Sequence, residues 1–309
     1  MRYIFYLFIC FSSSLLFAQQ LGSFSMWSEN SFAYNPSFAG ITKKFEFKTG
    51  YKEQWAGFDG APNIGLLTFN APMVFKRGNY LKPYHGVGLN VQRDQAGEFT
   101  HMMVGLNYAF HIPLDRTQML SFGTSLGLQQ LAFDQINATT VDPDLTVGSN
   151  VTNIYFPRVT LGALYNNNDF YLGLSGEEIL RNKWTAPGTE SRFRMHYSLQ
   201  GGYKFDNKYG FCFLPRAKID YVRGANPQAS LMLIFDYFDK FAFGLGYRTE
   251  DAITGMLRLR IKEMYTIAYS YDFTTSSLQS NTFGTHEIMF SFKAGKLYHE
   301  YDKGVPVFD

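Results

Sequence analysis

The 309-residue chain has only two cysteines, Cys10 and Cys212, and only 17% charged residues. Cys10 sits inside a leader-like N-terminal stretch, so a mature chain keeps one thiol. One thiol excludes an internal disulfide, a cysteine zinc cage and a two-cysteine redox motif. A net charge of +2 gives no bulk electrostatic case for binding nucleic acid. Past the leader, no segment stays apolar for the roughly 18–20 residues that a spanning helix needs. The six histidines show no metal-binding His-x-x-x-His or His-Glu-x-x-His spacing. No phosphate loop or dinucleotide fingerprint is present. These absences point away from a metalloenzyme, a nucleotide enzyme and a helical membrane protein, and no cofactor is implied.

What is present is an abundance of aromatic residues, 18% of the chain. They alternate with small and polar residues. In 264–273, Tyr265, Ile267, Tyr269, Tyr271 and Phe273 fall on one strand face and Thr266, Ala268, Ser270 and Asp272 on the other. In 241–248, Phe241, Phe243, Leu245 and Tyr247 oppose Ala242, Gly244, Gly246 and Arg248. One oily face and one polar face on strand after strand is the pattern of a transmembrane β-barrel. A large soluble β-sandwich is the competing class.

The N-terminus reads as a secretory leader, residues 1–18: Arg2, then an apolar stretch from Tyr3 to Phe17, then Ala18 before the cut. Gln19 becomes the new N-terminus. Cys10 lies within the apolar stretch and not after it, which argues against a lipoprotein. Fourteen strands are expected, near 44–55, 63–71, 85–94, 99–112, 119–133, 157–166, 170–176, 193–205, 211–223, 229–238, 241–249, 253–262, 264–273 and 284–294. Segments 63–71 and 229–238 alternate poorly. Residues 19–43 form a periplasmic or lumenal segment, 44–294 the antiparallel barrel, and 295–309 a periplasmic tail.

Loop lengths agree with this topology. Links such as 166–169, 206–208, 238–240 and 262–263 are short and turn-like. The alternate set, 134–156, 177–192 and 274–283, is long and polar. The link 72–84 and the short link at Glu250-Asp251 break the pattern. Outer-membrane barrels have short periplasmic turns and longer outer loops, so both termini are expected on the periplasmic side. The interior is expected to be polar and partly plugged or ligand-filled. Arg258, Arg260 and Lys262, with Arg216, Lys218 and Asp220, read either as a solvated inner wall or as a contact surface for an inserted polypeptide. His286 and Glu287 adjoin, but neighbouring strand residues face opposite ways, so a catalytic dyad would need a partner from another strand.

Five ordered segments carry a family resemblance. They are Asn35-Pro36-Ser37-Phe38-Ala39-Gly40, then Glu53-Gln54-Trp55-Ala56-Gly57-Phe58-Asp59-Gly60-Ala61-Pro62, then Gly86-Val87-Gly88 with Arg93-Asp94-Gln95-Ala96-Gly97, then Tyr269-Ser270-Tyr271-Asp272, and Gly284-Thr285-His286-Glu287-Ile288. Together they resemble the PorP/SprF family of type IX secretion in Bacteroidetes. The resemblance implies a non-enzymatic outer-membrane component of that system, in many species also of gliding. Its implied partners are the lipid bilayer and periplasmic secretion proteins, namely a peptidoglycan-binding lipoprotein and ring components. A second branch of the family is paired with a secreted surface adhesin that it exports or anchors. A passive pore and an outer-membrane hydrolase are the alternatives from other classes.

The motif residues Asn35, Pro36, Gly40, Gln54, Trp55, Gly60, Pro62, Asp94, Gly97, His286 and Glu287 are expected to maintain the fold or touch a partner. Pro36 and Gly40 suit a fixed turn before the first strand. Trp55 suits the end of strand one at the headgroup level, and Asp94 with Gly97 suits an outer turn. In the tail, Tyr298, Tyr301 and Phe308 are candidate anchors for a docking partner.

Overall fold

The computed structural model describes residues 22–73, 82–134, 151–186, 189–207, 209–275 and 282–295. The leader and its cleavage point, and the tail residues Tyr298, Tyr301 and Phe308, lie outside the described residues.

Fourteen antiparallel strands close into a barrel. In chain order the strands are β1 (Phe45–Glu53), β2 (Asn63–Met73), β3 (Tyr84–Ala96), β4 (Phe99–Pro113), β5 (Met119–Asp134), β6 (Val151–Asn166) and β7 (Phe170–Glu177). A small hairpin follows, β8 (Lys183–Ala186) with β9 (Thr189–Arg192). Then come β10 (His196–Tyr203), its short continuation β11 (Phe205–Asp206), β12 (Phe211–Val222), β13 (Gln228–Tyr237), β14 (Phe241–Arg248), β15 (Ala252–Ile261), β16 (Tyr265–Thr274) and β17 (Thr285–Ala294). Successive barrel strands pair throughout, β7 with β10 past the hairpin and β10 with β12. Closure comes from β1 against β17, with Phe45 opposite Ala294 and Glu53 opposite His286. It is required in lipid, where each unpaired edge amide would cost several kcal/mol.

The alternation in the sequence is the alternation of faces. Leu106, Leu257 and Phe273 point outward and are 67%, 65% and 60% exposed. Their strand neighbours Asn107, Arg258 and Asp272 are buried inside. The poor alternation of β2 and β13 has a physical cause. Their inward positions Ile64, Leu66, Met232 and Ile234 are also apolar, because they pack on Phe24 and Met26 of the chain ahead of β1.

Three expectations need adjusting. The strand near 193–205 starts at His196, and the loop before it contains the β8–β9 hairpin. β6 begins at Val151 because β5 runs on to Asp134 and pairs with it. Lys262 is outside β15, exposed in a turn at φ +52°, so the basic stripe on that strand is Arg258 and Arg260 alone.

The even strand count puts the start of β1 and the end of β17 at one end of the barrel, the end with the short turns. The described termini do not share that end. Residues 22–43 run the length of the lumen before entering β1. Gly22 lies at the long-loop end, where its carbonyl accepts from Gln92 Nε2 at 3.2 Å. Residues 36–42 lie at the short-turn end beside Pro72, Tyr84 and His111. Gly22 and Gly295 are therefore at opposite mouths.

Candidate functional site

The site with the most convergent chemistry is the lumen itself, filled by residues 22–42. This plug has two 3-10 turns, Trp27–Ala33 and Pro36–Phe38. Phe24, Met26, Trp27, Asn30, Asn35, Ser37 and Ala39 are all at most 2% exposed. Burying an aromatic or methionine side chain stabilises by about 1.5–3 kcal/mol, so the apolar part of the plug holds it in place before any polar contact is counted. The polar contacts then fix its register at three levels.

At the long-loop end, Glu287 of β17 accepts from the backbone amides of Ser25 (2.6 Å) and Met26 (3.0 Å). Lys52 of β1 sits 3.3 Å from Glu287 and donates to the Ser23 carbonyl at 2.8 Å. The Ser25 hydroxyl donates to Asp272 at 2.5 Å and accepts from Arg248 at 2.9 Å. A carboxylate on backbone amides, with its charge offset by a buried lysine, is the arrangement that makes a buried charge tolerable.

At mid-height, Glu29 binds Arg258 of β15, which also bonds Asp236 of β13. Lys48 donates to the Glu29 carbonyl at 2.9 Å, and Arg216 donates to the Ser28 carbonyl. Burial pushes the Glu29 carboxyl up, but Arg258, Arg216 and Lys48 outweigh it and hold its pKa at about 2. The Lys218 ammonium lies 4.4 Å from the Tyr34 ring centroid. Burial pushes the Tyr34 phenol above its usual range, so it remains neutral and accepts from the Phe24 amide at 3.0 Å.

At the short-turn end, Asn35 accepts from Ser37 N at 3.0 Å. Its Nδ2 reaches the carbonyls of Ala163 (3.3 Å) and Leu174 (3.2 Å) on β6 and β7. Gly40, at φ +71°, donates to Asn70 Oδ1 at 2.9 Å. His111 lies 2.8 Å from the Ala39 carbonyl and 2.7 Å from Ser121.

The motif residues fall into two groups. Asn35, Pro36 and Gly40 seat the plug against the wall. Gln54, Trp55, Gly60, Pro62, Gly97 and the 284–287 segment meet at the long-loop mouth. There Gln54 N donates to Pro62 O (2.8 Å), Trp55 N to the Thr285 hydroxyl (3.1 Å), Ala56 N to Gly284 O (2.8 Å) and Gly97 N to Gly60 O (3.0 Å). Trp55 stands beyond the strand in the left-handed region, φ +54°, because β1 ends at Glu53. Asp94 is not in a turn: pairing of Ala96 with Phe99 carries β3 past it, and it faces inward beside Gly22.

His286 and Glu287 do not converge. The His286 ring is outside, 2.7 Å from the Tyr269 hydroxyl, while Glu287 is inside on the plug. Among the described residues no three His, Cys, Asp or Glu side chains could hold a metal. Sequence reading missed Ser25, Glu29, Asp236, Arg248 and Asp272. Their signal is the charge placed on inward strand positions, matched by a mature N-terminal stretch, Phe24 to Phe32, too apolar for a free leader.

A family model described as type IX secretion system membrane protein PorP/SprF matches residues 16–292. No curated protein sequence matches the chain. Among solved structures, a Pseudomonas aeruginosa FadL homologue is similar at a TM-score of 0.51 and 12% identity, over 85% of this chain and 93% of that one. The Ralstonia pickettii toluene transporter TbuX is similar at 0.52 and 10%, over 85% and 92%. At such identities the likeness is one of fold, an outer-membrane barrel.

Proposed function

The chain belongs to the PorP/SprF family of type IX secretion system membrane proteins, and from that premise we propose that its barrel is a closed station in the outer membrane, not a conduit. The station marks a fixed position and presents its short-turn end to periplasmic secretion machinery. The plug carries this reading. A passage for substrate would have to displace residues 22–42 against contacts at three levels, two of them built on buried charges.

The same reading directs the short turns at Asn167–Asp169 and Phe238–Lys240 toward the periplasm, in keeping with the general asymmetry of such barrels. Gly295 then delivers the tail, with Tyr298, Tyr301 and Phe308, to that compartment. Gly22 opens toward the outer mouth. Contact with a peptidoglycan-binding lipoprotein or ring component belongs to this proposal, as does any part in gliding.

Three measurements test it. In planar bilayers the purified protein shows at most rare, brief openings; a large steady conductance makes it a pore. Deletion of the gene blocks release of type IX substrates, and crosslinkers placed in the short turns capture periplasmic proteins. Normal secretion in the deletion strain removes the proposal.

A further inference from the structure

A cavity of about 60 Å³ lies between the plug and the wall in the short-turn half of the lumen. Four cations border it, Lys48, Arg216, Arg260 and Lys293, against two carboxylates, Glu29 and Glu46. Adding the groups paired to them from behind, Arg258, Asp236 and Asp239, gives five cations against four anions among the described residues. Positive charge remains in excess in a place with little water to screen it.

Hydrogen-bonding capacity is in excess as well. Arg216 is 4% exposed. Its Nη1 donates to the Ser28 carbonyl, but its Nη2 has no partner among the described residues. The hydroxyls of Ser28, Thr42 and Ser291 border the same cavity and are also buried without one. All four groups can donate. A buried donor left unmet costs about 1–3 kcal/mol, and more when charged. Water can meet a hydroxyl but brings no negative charge.

The volume corresponds to about four to six water-sized spheres, enough for an oxyanion of four or five heavy atoms. We propose that this cavity binds one carboxylate or phosphate group, anchored on Arg216 Nη2 and ringed by the Ser28, Thr42 and Ser291 hydroxyls. The group arrives through the short-turn mouth, where Lys293 and Thr42 flank the strand ends. It is either a free anion or an acidic side chain of a polypeptide.

The test is equilibrium dialysis of the detergent-solubilised full chain with labelled inorganic phosphate, acetate and a tetra-aspartate peptide, all at equal ionic strength. Saturable binding of one equivalent is expected. Arg216→Gln weakens it at least tenfold, while Arg93→Gln, exposed on the outward face of β3, leaves it unchanged. Heat-modifiable migration verifies that each variant is a closed barrel. If Arg216→Gln does not fold, Ser291→Ala and Thr42→Val take its place, each with a severalfold loss. A peptide at least tenfold tighter than acetate assigns the site to an acidic side chain; equal or weaker peptide binding assigns it to a free anion. Absence of saturable binding for all three probes, or binding indifferent to these substitutions, overturns the proposal.

Discussion

Arg258 Nη1 on β15 lies 2.9 and 3.0 Å from the two carboxylate oxygens of Glu29 on the plug. The second guanidinium nitrogen of Arg258 bonds Asp236. One cation therefore serves two buried carboxylates, one on the plug and one on the wall. Arg258→Met strips both of their bonded counter-charge and leaves Glu29 only the more distant Arg216 and Lys48, a loss of up to about 3–5 kcal/mol for a buried pair broken from one side. The barrel can stay closed while the plug loosens. Urea titration of the variant shows a lower midpoint, and bilayer recordings show openings that the parent lacks. Glu29→Gln added to Arg258→Met recovers part of the loss, since it removes one of the stranded charges.

Acid acts on the same contact. Glu29 titrates at about 2 when folded, against an ordinary value of 4.5. Because the folded value is the lower one, its contribution is complete above about pH 4.5 and is lost as pH falls toward 2. A shift of this size corresponds to about 3 kcal/mol. The stability gap between the parent and Glu29→Gln is wide at pH 6 and closes between pH 4.5 and 2. A gap that stays constant through that window shows that Glu29 is not held by charge.

Close approach of the plug to the wall gives a third outcome. A methyl group on Gly86 of β3 would come 1.8 Å from the Ala39 carbonyl oxygen, and one on Gly123 of β5 would come 2.2 Å from Ser37 N. Both obstacles are backbone, so the plug must move. Gly65 and Gly255 have nothing within 4 Å of the same point. Gly86→Ala and Gly123→Ala lower the unfolding midpoint and raise conductance, whereas Gly65→Ala and Gly255→Ala leave both unchanged.

The strand pattern of this chain was legible because lipid outside and charge inside impose a strict two-residue period, as in β14 and β16. A lumenal segment at 19–43 and a partly plugged interior were among the readings, but the contacts of the plug were not legible. Its residues obey no period, and their partners are far apart in sequence: Ser25 meets Asp272 and Glu287, and Asn35 meets β6 and β7. The basic residues Arg216, Lys218 and Arg258 did suggest an inserted polypeptide, and the polypeptide they hold is the chain's own N-terminal segment. The weak alternation in β2 and β13 carried the other half of that information, since apolar inward positions need something apolar to face.

Asn35 tests the seat of the plug by charge without change of size. Its amide nitrogen is within 3.3 Å of two wall carbonyls, and its amide oxygen accepts from Ser37. Asn35→Asp keeps the acceptor but turns the donor into a carboxylate oxygen facing two carbonyls. Asn35→Ala merely removes the contacts. The aspartate variant is therefore the less stable of the two, by about 1–3 kcal/mol, measured by urea titration at pH 7. Lowering the pH through the carboxyl's titration restores part of the difference, because the protonated acid can donate again.

The outward face decides between lipid and water. Leu257 is in the middle of β15 and 65% exposed, and its neighbours Met256 and Arg258 face the lumen. In a bilayer, an arginine at mid-depth on the lipid side costs about 2–4 kcal/mol, falling to about 0–1 near the interfaces. Leu257→Arg therefore lowers folding yield into lipid vesicles and the unfolding midpoint there. Ile253→Arg, at the β15 end near the long-loop mouth, does so much less. On a water-facing sheet, either arginine would be nearly neutral, since exposed substitutions away from packed features change stability by no more than about 0.5 kcal/mol. Equal, small effects at both positions would place this face in water and remove the membrane barrel, whereas a depth-dependent penalty requires hydrocarbon against the side chain.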